Sequence, residues 1–269
     1  MNLRTPAKGD AMNLREEAEF NNIRDFLNEN YSIDVDLENE KPGSLMDMAV
    51  KLFLSLNTWE NYIYHAEIMD DSMKSMFKEC ISNTLHIIVF SALKMRLPLL
   101  MMINRTLELM ALLFFDSKVN PKFLESDLVF ENINYREILI DRYEFERKYD
   151  IDLEKAVAFC DDMMHRCNAQ YRELSNHLSF KNSQYYSNEK CLDVMNWTNL
   201  DIIYISNQIS LMSSIINSLM ILLYFEIYIE TIPELEKLFI RNAINNNLKI
   251  NDDKKYDFKN KIIDIFGEI

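Results

Sequence analysis

The residues whose types and spacing could do chemistry lie in one short segment, Tyr171 to Ser179, at the end of a strongly amphipathic stretch. Arg172 and His177 occur there five positions apart, just before the polar stretch 181–190. A histidine can take the proton of a 2′-hydroxyl near neutral pH, and a cation can stabilise the charged phosphorane that follows. The pair therefore indicates cleavage of RNA without a metal ion.

The spacing from Arg172 to His177 fits an Arg-x4-His motif, and the wider string Tyr-Arg-x-Leu-Ser begins at Tyr171. On these strings the chain resembles HEPN domains (higher eukaryotes and prokaryotes nucleotide-binding). The resemblance implies an all-helical domain over roughly residues 45–230 and a metal-independent ribonuclease of a toxin or antiphage system. It also implies a dimer in which the motifs of two subunits form one site, with Arg172 and His177 as the catalytic residues.

One departure from the family pattern concerns the position of the histidine. With Tyr-Arg-x-Leu-Ser, a histidine is expected seven residues after the arginine, but that position is Ser179 and the nearest histidine is His177. On a regular helix, seven steps of about 100° return to nearly the same face, whereas five steps leave Arg172 and His177 about 140° apart. Either the helix breaks before His177, or the two residues serve a site shared by two subunits, or the site is degenerate.

Other polar residues around the pair are expected to support it or to contact RNA, namely Tyr171, Glu173, Ser175, Asn176, Ser179 and Lys181. Arg105 and Glu108 match an arginine and a glutamate that such proteins carry on an earlier helix. Their spacing allows a pair on one helix face, and their apolar surroundings favour a buried structural salt bridge. Arg172 can equally pair with a carboxylate on a neighbouring helix, and His177 can cap a carbonyl or lie at the surface.

The composition excludes several other classes of site. Three isolated glycines leave no glycine-rich phosphate loop, and the sequence has no HExxH, Glu-x-x-His or CxxC motif for a metal ion. We therefore expect no metal and no cofactor, and reduced core thiols at the four cysteines. A net charge of −14 argues against binding to duplex DNA, which depends on Lys and Arg neutralising phosphates.

Long helices must position these residues, because glycine and proline, which tight turns require, number only 3 and 5 among 269 residues. Apolar residues at helical spacing predict an all-α fold, a single bundle of about seven to nine helices. The resemblance implies that this bundle is HEPN-like. The predicted helices span residues 13–30, 44–68, 73–96, 98–116, 134–149, 152–178, 192–229, a stretch that begins at 233, and 254–266.

The first residues of the chain are polar and charged, so we predict a tail or leader over 1–20 and one bundle domain over 21–269. The stretch Ile205 to Ile229 is long enough to span a membrane, but its many polar side chains favour a central bundle helix. With no secretory signal at the start, we expect a cytoplasmic protein without a membrane partner.

Three hypotheses remain, in order of preference. The first is a metal-independent endoribonuclease that acts on RNA as a toxin or antiphage effector. The second is a catalytically silent HEPN-like bundle that regulates or assembles such a system by binding a protein partner or antitoxin, and the acidic charge and Ser179 favour it. The third is an unrelated helical interaction module in which the Arg-x4-His string is a coincidence. We expect a homodimer under either of the first two.

Overall fold

The computed structural model describes residues 8–32, 44–65, 69–115, 151–178, 199–244 and 257–266. Within these ranges every regular element is helical, which confirms the predicted all-α bundle. The α-helices are α1 Lys8–Tyr31, α2 Leu45–His65, α3 Asp71–Ala92, α4 Arg96–Phe115, α5 Leu153–Leu178, α6 Asn199–Leu223, α7 Glu234–Ala243 and α8 Phe258–Phe266. A short π-helix, Ile227–Thr231, lies between α6 and α7.

Several helix boundaries differ from the sequence prediction; for example, the helix predicted over 73–96 ends at Ala92. Helix α1 begins at Lys8 rather than at 13, and Lys8, Ala11 and Met12 of the added stretch have high helix propensity. The helix predicted over 192–229 ends at Leu223, and the chain continues through the π-helix to an extended Ile232, since the residue before a proline avoids the α region. The predicted helix 134–149 and the polar stretch 181–190 lie outside the described residues.

Helix α6 is the centre of the bundle and packs against α2, α4, α5 and α7. Every residue from Met212 to Phe225 is buried, so this part of the chain is enclosed on all sides. Two described helices, Arg96–Phe114 and Asp201–Leu223, are long and apolar enough to cross a membrane by length and composition alone. The apolar window of the second is 83% buried within the bundle, as the core helix of a soluble protein would be.

Asn217, in the buried part of α6, ties that helix to α2. Its side-chain Oδ1 accepts a hydrogen bond from Trp59 Nε1 at 3.1 Å. Its Nδ2 donates to Ser55 Oγ at 3.1 Å and to the backbone oxygen of Ser213 at 2.9 Å. Asn217, Trp59 and Ser55 have no exposed surface, so water cannot replace a bond that is lost.

The π-helix is held in place by Lys237 of α7. The Lys237 ammonium donates to the backbone oxygen of Ile229 at 3.2 Å and to Glu234 Oε1 at 2.7 Å. It also lies 5.4 Å from the centre of the Tyr228 ring. Because a buried ammonium is costly without such partners, these contacts fix the chain reversal between α6 and α7.

Three helices place the predicted site at one end of the bundle. Arg96 and Asp201, near the starts of α4 and α6, form a salt bridge with an N–O distance of 2.6 Å. Ser175, near the end of α5, accepts a hydrogen bond from Asn104 Nδ2 of α4 at 3.4 Å. Helices α4 and α6 therefore begin where α5 ends, and α5 runs antiparallel to both.

The first prediction concerns the stability of the α2–α6 contact. We expect Asn217→Ala to lower the free energy of unfolding by about 1–3 kcal/mol, because it leaves the Trp59 indole N–H buried without an acceptor. Urea unfolding followed by tryptophan fluorescence measures the change. The matched control is Asn207→Ala, an exposed asparagine of the same helix, which should stay within about 0.5 kcal/mol of wild type. Equal losses of unfolding free energy in Asn217→Ala and Asn207→Ala would contradict the stabilising role of the Asn217 hydrogen bonds.

Candidate functional site

Helix α5 carries the predicted site and stays regular through it. Asp152 caps its start by accepting a hydrogen bond from the backbone N–H of Lys155 at 3.2 Å, and the helix runs to Leu178. Its buried side chains recur at helical spacing, at Ala156, Cys160, Met163, Cys167, Gln170 and Leu174. The helix does not break before His177, which removes the first of the three explanations for the motif spacing.

Arg172 and His177 consequently lie on different faces of α5. Arg172 is exposed. His177 is half-buried against α6, where the centre of its ring lies 5.0 Å from that of Tyr204, with 45° between the ring planes. Five residues of a regular helix separate the two directions by about 140°. One chain therefore does not present the arginine and the histidine on one helix face.

His177 has charged groups on two sides. Partial burial lowers the pKa of His177 below its usual value, because an imidazolium is less well solvated there than in water. The carboxylate of Glu173, one turn earlier on α5, opposes this effect, whereas the positive charge of Arg96 on α4 adds to it. The half-buried ring therefore favours its neutral form, which can accept a proton, more than a solvated histidine does.

A chain of hydrogen bonds leads from the core to Glu173. Gln170 Nε2 donates to the backbone oxygen of Gln208 at 2.7 Å and to its side-chain Oε1 at 2.9 Å. Gln208 Nε2 in turn donates to Glu173 Oε1 at 3.3 Å. Both glutamines are more than nine-tenths buried, at 2% and 6% exposed, so these bonds determine how each amide is oriented.

Four residues of this site were not singled out from the sequence: Arg96, Gln170, Tyr204 and Gln208. Gln170 did carry a signal, because it is a polar side chain within the apolar stripe of α5. Gln208 similarly lies among the apolar residues of α6. The other two depend on contacts between distant parts of the chain, which helical periodicity does not reveal.

Arg105 and Glu108 form the predicted pair, with Arg105 Nη1 2.9 Å from Glu108 Oε2. Arg105 also binds Glu79 of α3 through Nε at 3.0 Å. The expectation of burial was wrong, since the Arg105 side chain is 41% exposed. Its apolar sequence neighbours point into the core, while the arginine lies on the outer face between α3 and α4. No described contact links this pair to His177.

The remaining predicted residues take separate positions. Tyr171 is partly buried and packs against the core, and Ser175 contacts Asn104 as described above. Asn176 is exposed beside Arg172 on the solvent side of α5. Ser179 and Lys181 lie outside the described residues. The described site therefore centres on His177, Glu173 and their neighbours on α4 and α6.

Within the described ranges, no three His, Cys, Asp or Glu side chains come together in a way that could hold a metal ion. Cys80, Cys160 and Cys167 are free and buried thiols. Burial raises the pKa of Cys167 to about 12, and raises the pKa of the other two as well. These three thiols are therefore core side chains without nucleophilic character at neutral pH.

No family model, curated protein or solved structure matches the chain.

The second prediction concerns the pH dependence of stability. Because the folded state lowers the pKa of His177, the unfolded chain binds more protons as the pH falls below about 6.5, and stability falls with it. We expect the melting temperature of wild type to drop more between pH values of about 7.5 and 5.5 than that of His177→Phe, which keeps a ring against Tyr204. An equal drop in melting temperature over this pH range for wild type and His177→Phe would contradict the assignment.

Proposed function

We propose that the protein is a metal-independent endoribonuclease of the HEPN type that acts as a toxin or antiphage defence effector in the cytoplasm. The environment of His177 is the observation that carries the proposal. This imidazole is half-buried against the Tyr204 ring of α6, and the Glu173 carboxylate on the preceding turn of α5 favours its protonated form. The resemblance of the Arg172 to His177 string to HEPN domains supplies the reaction class.

In the proposed reaction, His177 takes the proton of an RNA 2′-hydroxyl, which then attacks the adjacent phosphate. The imidazolium that forms is stabilised by Glu173 and can give its proton to the leaving 5′-oxygen. Arg172 stabilises the negative charge that builds on the phosphorane. Neither metal nor cofactor takes part in these proton transfers.

The direction of Arg172 makes a second copy of the chain part of this proposal. Since Arg172 points about 140° away from His177, the arginine of one copy and the histidine of the other would serve one phosphate. A two-fold dimer contains two such composite sites. This arrangement is the second of the three explanations that the motif spacing left open.

A specific observation favours a second candidate, the catalytically silent bundle that binds a protein partner or antitoxin. The Arg172 and His177 side chains diverge, and Arg96, the cation near His177, is already paired with Asp201. Large apolar side chains are also exposed near this end of the bundle, with Met101 of α4 at 49% and Ile203 of α6 at 56% exposed. Such side chains suit contact with another protein.

The third prediction tests the first candidate against the second. We expect purified wild type to cleave total RNA and tRNA in EDTA, and His177→Ala to be slower by at least about 100-fold, since it loses the acid–base group. The matched control is His165→Ala, an exposed histidine of the same helix, which should cleave like wild type. Absence of cleavage by all three proteins would favour the silent bundle, and equal cleavage by all three would exclude His177 from the site.

The fourth prediction tests the shared site. Arg172→Ala and His177→Ala should each be inactive but folded, because Arg172 is exposed and its removal should cost less than about 1 kcal/mol. Mixing the two variants after mild dissociation should restore roughly a quarter of wild-type activity, because half of the dimers then hold one intact composite site. No recovery, in a mixture shown to exchange subunits, would contradict a site built from two chains.

A further inference from the structure

Two buried glutamines lie directly beneath the predicted site. Gln170 of α5 and Gln208 of α6 are bonded to each other, and Gln208 continues the chain to the exposed carboxylate of Glu173. Gln208 uses its Oε1 as acceptor toward Gln170, which turns its Nε2 donor toward Glu173. The alternative orientation of this amide would place two acceptors or two donors opposite each other. The direction of the Gln208 donor is therefore fixed from within the core.

We propose that Gln208 is a positioning residue, which holds the Glu173 carboxylate beside His177 and thereby sets the proton affinity of the imidazole. The inference rests on the proposed function, in which His177 is the acid–base group. Glu173 is an exposed glutamate with several side-chain rotamers open to it, and a donor anchored in the core restricts that freedom. Gln208 itself acts through Glu173.

Charged and titratable groups face His177 from all three helices. Glu173 lies on α5 itself, Arg96 on α4, and Asp201 and Tyr204 on α6. Arg96 forms a salt bridge with Asp201 at 2.6 Å, and its positive charge disfavours the imidazolium. Among the described residues, the Glu173 carboxylate is the charged group that favours the imidazolium. Its position therefore determines how strongly the imidazolium is favoured.

The experiment is an NMR titration of the His177 ring in wild type, Glu173→Gln, Gln208→Met and the double variant. Removing the Glu173 charge should lower the pKa of His177 by about 0.5, the size expected for one carboxylate in partly solvated surroundings. Gln208→Met should lower it in the same direction, because the carboxylate is released. The double variant should match Glu173→Gln alone, because both changes act through one group.

A matched control isolates the effect. Asn207→Met changes an exposed residue next to Gln208 and should leave the pKa of His177 unchanged. The side-chain N–H signal of Gln208 should move between wild type and Glu173→Gln, because the acceptor of its hydrogen bond changes from a carboxylate to an amide. That measurement needs no change to a buried residue, so it holds even if Gln208→Met does not fold.

Three results would overturn the inference: an unchanged pKa of His177 in folded Gln208→Met, additive shifts of that pKa in the double variant, or a side-chain N–H signal of Gln208 that does not move in Glu173→Gln. RNA cleavage is scored separately. The expected NMR result with no cleavage by wild type would leave the positioning role standing and reject the ribonuclease proposal. Cleavage of RNA by wild type, together with an unchanged pKa of His177 in Gln208→Met, would support the ribonuclease proposal and reject the positioning role.

Discussion

Burying a polar side chain costs free energy unless it finds a hydrogen-bond partner, and four polar residues of α6 find partners on four different surrounding helices. Asp201 binds α4, Gln208 binds α5, Ser213 binds the last residue of α7, and Asn217 binds α2. Apolar packing alone would tolerate helices that slide or rotate against α6. The polar contacts select one register for each neighbour, since any other leaves buried donors and acceptors unpaired.

The candidate site follows from the same arrangement. Two of the polar contacts of α6, those of Asp201 and Gln208, fall in its first half, where the helix emerges from the most enclosed part of the bundle. They bring the start of α4 and the end of α5 to the start of α6, and His177 is placed among them. The polar contacts that hold the helices together inside the bundle thus also surround the His177 ring at its edge.

Periodicity was sufficient to predict the helices, the apolar stripe of α5 and the buried character of α6, because each depends on residues close together in sequence. It also predicted the pairing of Arg105 with Glu108, although the burial was wrong, since apolar neighbours in sequence occupy a different face of the helix. The surroundings of His177 could not be predicted in the same way. They arise where α4, α5 and α6 meet, and the polar residues Gln170 and Gln208 among apolar neighbours were the local signs of that junction.

The Gln170–Gln208 pair has a consequence for how such a protein could change over evolutionary time. Gln170 Nε2 donates to Gln208 Oε1 inside the bundle, so a substitution of either glutamine alone removes a hydrogen-bond partner of a buried amide. A lineage could pass from this pair to an apolar pair only through a less stable intermediate or through two changes close together. Related sequences should therefore carry both glutamines or neither, and those with neither should show correlated change at Glu173.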